Sequence, residues 1–313
     1  MEWWSDGFRS TIPFLMIVLV TGGTGFVGQE LARELHGAGH NLRLLVRQRN
    51  SPAAQETAAR FAAELRDGNV LDAASLPGAL RGADAVIHLV GIISEVGEQT
   101  FENAHARATE NMIASARRAG VKRFLHMSAL GTRPGARSRY HQSKWAAEEA
   151  VRSSGLAWTI FRPSIIYGHG DGFITMLARM LRRLPIVPVI GSGRTRLQPV
   201  PVELVAEAFA RSIRMTTTEK HAFDVAGCDA VTMLELLDIV GAAVGRRRVR
   251  KVHVPLGAMR PLARLLHRLP GFPVTPDQLR MLEEDNTGDA KPFLSTFGFK
   301  PPALAAGIAR ILA

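Results

Sequence analysis

Along the first half of the chain, short apolar runs alternate with longer stretches in which apolar residues recur every three or four positions. Residues 16–20, 41–46, 62–66, 85–90, 123–127 and 158–161 have the length and composition of buried strands. Between them, residues 27–36, 52–59, 73–80, 101–118 and 138–151 carry helical spacing. Strands apolar on both faces need cover on both, and crossover helices supply it. The order therefore predicts an α/β fold with a doubly wound parallel sheet. After residue 163 the pattern loosens. Helices are expected at 173–183, 202–214, 232–244, 256–265 and 276–284, with short strands at 187–190, 221–225 and 251–254. The expected organisation is a nucleotide-binding domain over 16–163 and a smaller, partly helical substrate lobe over 164–313. That lobe is interleaved with the last part of the sheet and covers its open edge.

Composition narrows this picture. Of 313 residues 46% are hydrophobic and 21% charged, a globular balance. Residues 12–20 (IPFLMIVLV) make up about half of the ~20 apolar residues a membrane-spanning helix needs, and a glycine loop follows. The run is a strand rather than an anchor or leader. Residues 1–15, with Trp3, Trp4 and Gly7, show no period and are expected to be a loose arm or an upstream start. A lone cysteine, Cys228, excludes an internal disulfide and a cysteine metal cluster, and no metal is expected. The expected compartment is the cytoplasm. The net charge is +11, of which residues 161–313 carry +8. That half suits an anionic membrane surface, a phosphorylated substrate or simply solvent. Nucleic acid is last among these, because no zinc-finger spacing or RNA-binding aromatic signature is present.

The chemistry-bearing residues follow the strands. Strand 16–20 runs into TGGTGFVG, with Gly22, Gly25 and Gly28 three apart at a strand-to-helix junction. Glycines there permit a tight turn, close approach of a pyrophosphate and close helix packing, with the helix N-terminus favouring the anion. The alternative is a tight turn with no ligand. The second strand ends LLVRQRN: Arg47 and Arg49 stand where an acid would bind the ribose 2′-hydroxyl of NAD. An arginine there meets the 2′-phosphate of NADP instead, so NADP(H) is expected over NAD(H), which stays possible. Tyr140 and Lys144 are i,i+4 on one helix, and Ser128 ends the preceding strand at the sheet's ligand-binding edge. A tyrosine beside a fixed ammonium has its phenolate favoured and exchanges a proton with a substrate oxygen. Lys144 also suits the nicotinamide ribose, and Ser128 suits a carbonyl.

Together these residues resemble the short-chain dehydrogenase/reductase superfamily, in its extended epimerase/dehydratase-like branch with a Rossmann domain. The resemblance runs from about Met16 to the C-terminus. It implies that Thr24, Phe26 and Val27 belong to the cofactor turn and that Asn69 and Val70 border the adenine. It also implies that Leu89, Val90 and Gly91 line the cofactor, that Pro163 and Ser164 lie by the nicotinamide, and that Arg196 grips a substrate diphosphate. The segments HLVGI, RPSIIYGHGDGF, LQPVPVELVAEA and TPDQLRMLEEDN look most like the nucleotide-binding accessory subunit of respiratory complex I and its free-standing bacterial relatives. Only twelve positions separate Ser128 from Tyr140, and Val202-Glu203 replaces the family's usual acidic pair after Arg196. Both departures argue against a sugar-nucleotide substrate.

The implied activity is NADP(H)-dependent hydride transfer on a small-molecule carbonyl or alcohol. The alternative is an NADPH-carrying structural or sensing protein without turnover. His88 and His105 are expected either to face the cofactor or to be satisfied core or surface histidines. Cys228 is expected to be a small buried residue. The run GRRRVRK (residues 245–251) with Arg260, Arg264, His267 and Arg268 forms either a basic membrane-facing surface, hence peripheral contact, or a solvated face.

Overall fold

In the computed structural model, which describes residues 15–266 and 274–313, strands and helices alternate strictly through the first half. The order is β1 (Ile17–Thr21), α1 (Phe26–Gly37), β2 (Asn41–Val46), α2 (Pro52–Phe61), β3 (Glu64–Asp67), α3 (Pro77–Leu80), β4 (Ala85–His88), α4 (Ala108–Arg118), β5 (Arg123–Met127), α5 (Arg139–Arg152) and β6 (Ala157–Pro163). The second half runs β7 (Ile166–Tyr167), α6 (Phe173–Arg183), β8 (Ile186–Ile190), β9 (Arg196–Leu197), β10 (Val200–Pro201), α7 (Val202–Ser212), β11 (His221–Val225), β12 (Val231–Thr232), α8 (Met233–Ala243), β13 (Arg250–Val254) and α9 (Leu256–Leu266). Helices α10 (Pro276–Met281), α11 (Lys291–Phe297) and α12 (Leu304–Leu312) follow.

Seven parallel strands form one sheet in the order β11-β6-β5-β4-β1-β2-β3. Successive side chains of β1 face opposite layers. Val18 and Val20 pack with Leu31, Leu35, Val205 and Phe209, so α1 and α7 cover one face. Leu19 packs with Leu80, Met112 and Val151, so α3, α4 and α5 cover the other. The seventh strand comes from the second half: β11 extends β6 in register, His221 opposite Thr159 and Val225 opposite Pro163. Arg123 locks this edge. Its buried guanidinium donates to the Ala157 carbonyl (2.7 Å), Thr159 Oγ1 (2.7 Å), Thr218 Oγ1 (2.9 Å) and the Ser212 carbonyl (2.7 Å). Burial pulls it down to about 10. A separate core joins α6, α8 and α12 to the two-stranded β8–β13 sheet through Leu177, Leu181, Val187, Leu236, Val240 and Ile308.

Several expected elements differ. Residues 73–80 are not one helix: Asp72 caps a 3-10 turn, Ala73–Ser75, and Pro77, lacking an N–H, opens the separate α3. Strand 62–66 starts two residues later, because Ala62 ends α2 in the left-handed region at φ 49°. Strand 85–90 stops at His88; the Leu89 N–H still donates to the Thr21 carbonyl at 3.1 Å, and the Leu89 backbone packs against Gly22. Helix 101–118 opens with a π-helical turn, Glu102–Arg107, before α4. The short strands β7, β9, β10 and β12 and the helices α11 and α12 were not expected. The arm with Trp3 and Trp4, and His267 and Arg268, lie outside the described residues.

Candidate active site

Strands β1 and β4 are neighbours, but α1 leaves to one face of the sheet and α4 to the other, which opens a crevice at their carboxyl ends. A cleft of about 880 Å³ occupies it. Gly22, Thr24, Gly25, Phe26, Val27 and Gly28 line it from the first turn, Arg47 from the end of β2, and Asn69 and Val70 from the loop after β3. Leu89, Val90 and Gly91 line it after β4. Gly22 sits at φ 75°, and a Cβ on Gly28 would meet the Gly22 carbonyl oxygen at 2.3 Å. Only glycine fits there, so α1 is brought against the turn. The N-cap of α1 is Gly25, and no side chain caps the helix, leaving its first N–H groups to an anion. These features fit the pyrophosphate of a dinucleotide. The two arginines separate: Arg49 is held by Asp67 (3.8 Å), whereas Arg47 is exposed, lines the cleft and has no ion pair among the described residues.

The catalytic candidates Ser128, Tyr140 and Lys144 do not line the cleft themselves but stand behind its wall, beside Gly91 and Met127, which do. Tyr140 and Lys144 share α5, whose N-cap Ser138 accepts the His141 N–H at 3.1 Å. Lys144 is buried and its Nζ donates to the Met127 carbonyl at 3.0 Å. The same Nζ lies 3.0 Å from where a Cβ on Gly91 would stand, so it abuts the cleft wall. Burial lowers Lys144 to about 8, against the opposing pull of Glu148. The partly buried Tyr140 ring stands edge-on to His105 (5.3 Å) and Phe101 (5.8 Å). The favoured phenolate expected from Lys144 is not what the structure holds. Burial pushes Tyr140 up to about 12, while the lysine is turned to a backbone carbonyl.

Ser128 differs too. Its hydroxyl donates at 2.5 Å to Glu148 Oε1, a fully buried carboxylate that also accepts from Arg152 and Arg162 at 2.6 Å. It is therefore engaged inside the protein rather than presented to a carbonyl.

His105 and Asp277 organise this end. The Ile92 N–H donates to His105 Nε2 (3.1 Å), so Nδ1 carries the proton and donates to Ser143 Oγ (2.8 Å). This ties the cleft loop to α5. His88 is fully buried, bonded through Nδ1 to Thr21 Oγ1 at 2.7 Å and stacked on His126. Burial, and then the Lys144 charge, hold His88 at about 3 and His105 at about 2. Both are neutral core groups. Asp277 of α10 accepts the Arg139 N–H at 2.8 Å and the Tyr140 N–H at 3.0 Å, capping α5 from 137 residues away. From the same segment, Glu284 pairs with Arg133 at 2.8 Å, and Asn286 accepts from Ser164 Oγ at 2.7 Å. The sequence held no signal for the partner of Asp277, because no local periodicity links α10 to α5.

The remaining candidates lie elsewhere. Pro163 ends β6 and Ser164 is held by Asn286, neither lining the cleft. Arg196 is exposed in β9, its Nη2 3.4 Å from the Ala230 carbonyl, and does not line the cleft either. Cys228, expected to be buried, is exposed, because the chain leaves β11 there for the surface. No metal-binding group of side chains is found among the described residues.

Comparisons with known proteins agree with this geometry. Residues 22–177 match the NAD(P)H-binding family. Subunit 9 of the mitochondrial NADH dehydrogenase [ubiquinone] 1 alpha subcomplex of Arabidopsis thaliana is 28% identical over 294 residues, covering 90% of this chain and 71% of that one. A ceramide reductase of Caulobacter vibrioides is 32% identical over 199 residues, covering 63% and 61%. This chain thus spans about three-fifths of the latter's length. The Escherichia coli NADPH-dependent quinone oxidoreductase, solved with NADPH, superposes with a TM-score of 0.76 at 20% identity over 95% and 100% of the chains. The dTDP-glucose 4,6-dehydratase of Streptomyces venezuelae gives 0.73 at 22% over 95% and 96%. Residues 22–177 therefore form an NAD(P)H-binding domain with the fold of these oxidoreductases and dehydratases, in a chain that is similar over most of its length to a subunit of mitochondrial NADH dehydrogenase.

Proposed function

We propose that this protein is an NADPH-dependent reductase of a small carbonyl or quinone-like compound, with Tyr140 as its proton donor. One observation carries the reading: the Lys144 ammonium abuts Gly91 in the wall of the dinucleotide cleft, and Tyr140 stands one turn before it on α5. The glycine turn and the N-terminus of α1 hold the pyrophosphate, and Arg47 holds the 2′-phosphate. The bound nicotinamide supplies a hydride. Tyr140, a phenol that is protonated at neutral pH and whose burial holds its proton more tightly still, gives that proton to the substrate oxygen and regains one from solvent. Lys144 holds the ribose by exchanging its bond to the Met127 carbonyl for ribose hydroxyls. Glu148 holds Ser128 away from this step.

The test is oxidation of NADPH by a panel of carbonyl compounds and quinones, followed by the Tyr140→Phe variant. Turnover should fall by about 10²–10⁴, with NADPH affinity unchanged within a few-fold. Wild-type kcat/KM should fall as pH rises through about 8, where the free protein's Lys144 loses its proton. Full turnover by the variant refutes the role of Tyr140. Tight NADPH binding with no turnover across the panel favours a cofactor-carrying protein, a reading supported by the internal commitment of the Ser128 hydroxyl.

A further inference from the structure

Two stretches of the second half hold no acidic residue at all. Residues 172–202 contain five Lys or Arg, and residues 239–266 contain seven. The fold brings them together. β8 and β13 pair in parallel, Ile186 opposite Arg250 and Pro188 opposite Val252, and Arg246 donates at 2.7 Å to the Leu184 carbonyl. Side chains alternate across this two-stranded sheet. Val187 and Val189 enter the core, so Ile186, Pro188, Arg250 and Val252 face outward together. Helix α9 covers the far end of that outer face, where Met259 and Ala263 pack with Ile190 and Val254.

What stays uncovered is apolar as well as basic. Leu184, Ile186, Val252, Leu262 and Leu265 are exposed at 40%, 48%, 50%, 42% and 78%. They are half of the ten large apolar side chains exposed among the described residues. On α9, Leu262 and Leu265 fall to one side of the buried Met259–Ala263 line, and Arg260 and Arg264 to the other. Neighbouring acids account for part of the charge only. Asp238 takes Lys251 (2.5 Å) and Glu283 takes Arg260 (2.7 Å). Arg183, Arg247, Arg248 and Arg250 are exposed with no ion pair among the described residues.

We infer that the outer face of β8, β13 and α9 is a peripheral docking surface for a bilayer that carries anionic lipid. Charge complementarity selects the occupant. Arginines at the rim match lipid phosphates, while exposed leucine, isoleucine and valine side chains enter the headgroup–acyl boundary. A single-stranded nucleic-acid surface would offer aromatic rings for bases to stack on, and residues 184–190 and 246–266 contain no Phe, Tyr or Trp. No helix among the described residues is long and apolar enough to span a membrane, so the contact is peripheral.

The test is co-sedimentation of the full chain with phosphatidylcholine vesicles, with and without 30% phosphatidylglycerol, at low and high salt. Binding should require phosphatidylglycerol and weaken as salt rises. Neutralising Arg247, Arg248 and Arg250 to Gln should weaken it by about fivefold per arginine, on the order of a hundredfold together. Leu262→Ser with Leu265→Ser, which leaves every charge in place, should weaken it by about tenfold. NADPH binding, in a cleft that none of these five residues lines, should be unchanged in both and reports that each variant is folded. Equal binding to neutral vesicles, or none to anionic ones, overturns the inference. So does anionic binding indifferent to the two leucines, or a preference for duplex DNA over the vesicles, either of which would mean a plain polyanion site.

Discussion

The two ends of the cleft are built on different principles. At the pyrophosphate end, ligand-facing groups are backbone: Gly22 at φ 75°, the uncapped N-terminus of α1, and the close approach of Gly28 to Gly22. Nothing there needs to move. At the catalytic end, every candidate group already has an internal partner. Ser128 bonds Glu148, Lys144 bonds the Met127 carbonyl, and Tyr140 is wedged among His105, Phe101 and His141. A backbone site binds by shape and dipole, whereas a side-chain site acts only by exchanging bonds. Binding and turnover are thus separable in this protein.

The sharpest break of that comparison is Gly28→Ala. One methyl would stand 2.3 Å from the Gly22 carbonyl oxygen and 2.6 Å from the Gly23 backbone, so α1 or the turn has to shift. NADPH affinity should fall by about a hundredfold or more, the upper range of overpacking penalties. Calorimetric titration measures it, with circular dichroism to show that the sheet persists. A variant that binds within threefold of wild type would mean the turn is compliant, and the backbone account of this end would fail.

Arg47→Ala probes the one side chain on which the cofactor end depends. A charge-assisted bond to a 2′-phosphate contributes about 1.5–3 kcal/mol, or roughly tenfold to a hundredfold. NADPH should weaken by that factor while NADH is unaffected, because NADH has no phosphate there. Equal wild-type affinities for the two cofactors would remove NADP specificity from the proposal.

The same contrast explains what could be read from the sequence. The glycine turn, Arg47 and the loop after β4 were legible because each follows a strand end, and strand ends are set by local apolar runs. Tyr140 and Lys144 were legible as a pair through helical spacing alone. Their bonding was not, since Met127, Glu148 and Asp277 reach them from other elements. Ser128 shows the limit most clearly: its position at the end of β5 was correct, but its hydroxyl is claimed by a buried carboxylate twenty residues away. Strand β11 was found, yet its place as the seventh strand depends on Arg123, Thr159 and Thr218 meeting across distant segments. Cys228 was misjudged because burial of a single small residue has no local signature. In the second half, two-residue strands such as β7 and β10 are too short to leave a period.

The finest test concerns Asp277, which connects the second half to the catalytic end without touching the cleft. Both its carboxylate oxygens accept N–H groups of the first turn of α5, from Arg139 and Tyr140. A carboxylate at a helix N-terminus also meets the positive end of the helix dipole. Asp277→Ala removes both effects and should cost about 1 kcal/mol of stability, typical of a lost cap. If the cap also positions Tyr140, kcat should fall about fivefold with the KM for NADPH unchanged, because no residue of α10 lines the cofactor cleft. Asp277→Asn retains one acceptor oxygen and should recover part of the kcat. A variant that loses melting temperature but keeps kcat would make Asp277 a purely structural tie. Equal losses in kcat and in NADPH affinity would mean that the two ends of the cleft are not independent after all.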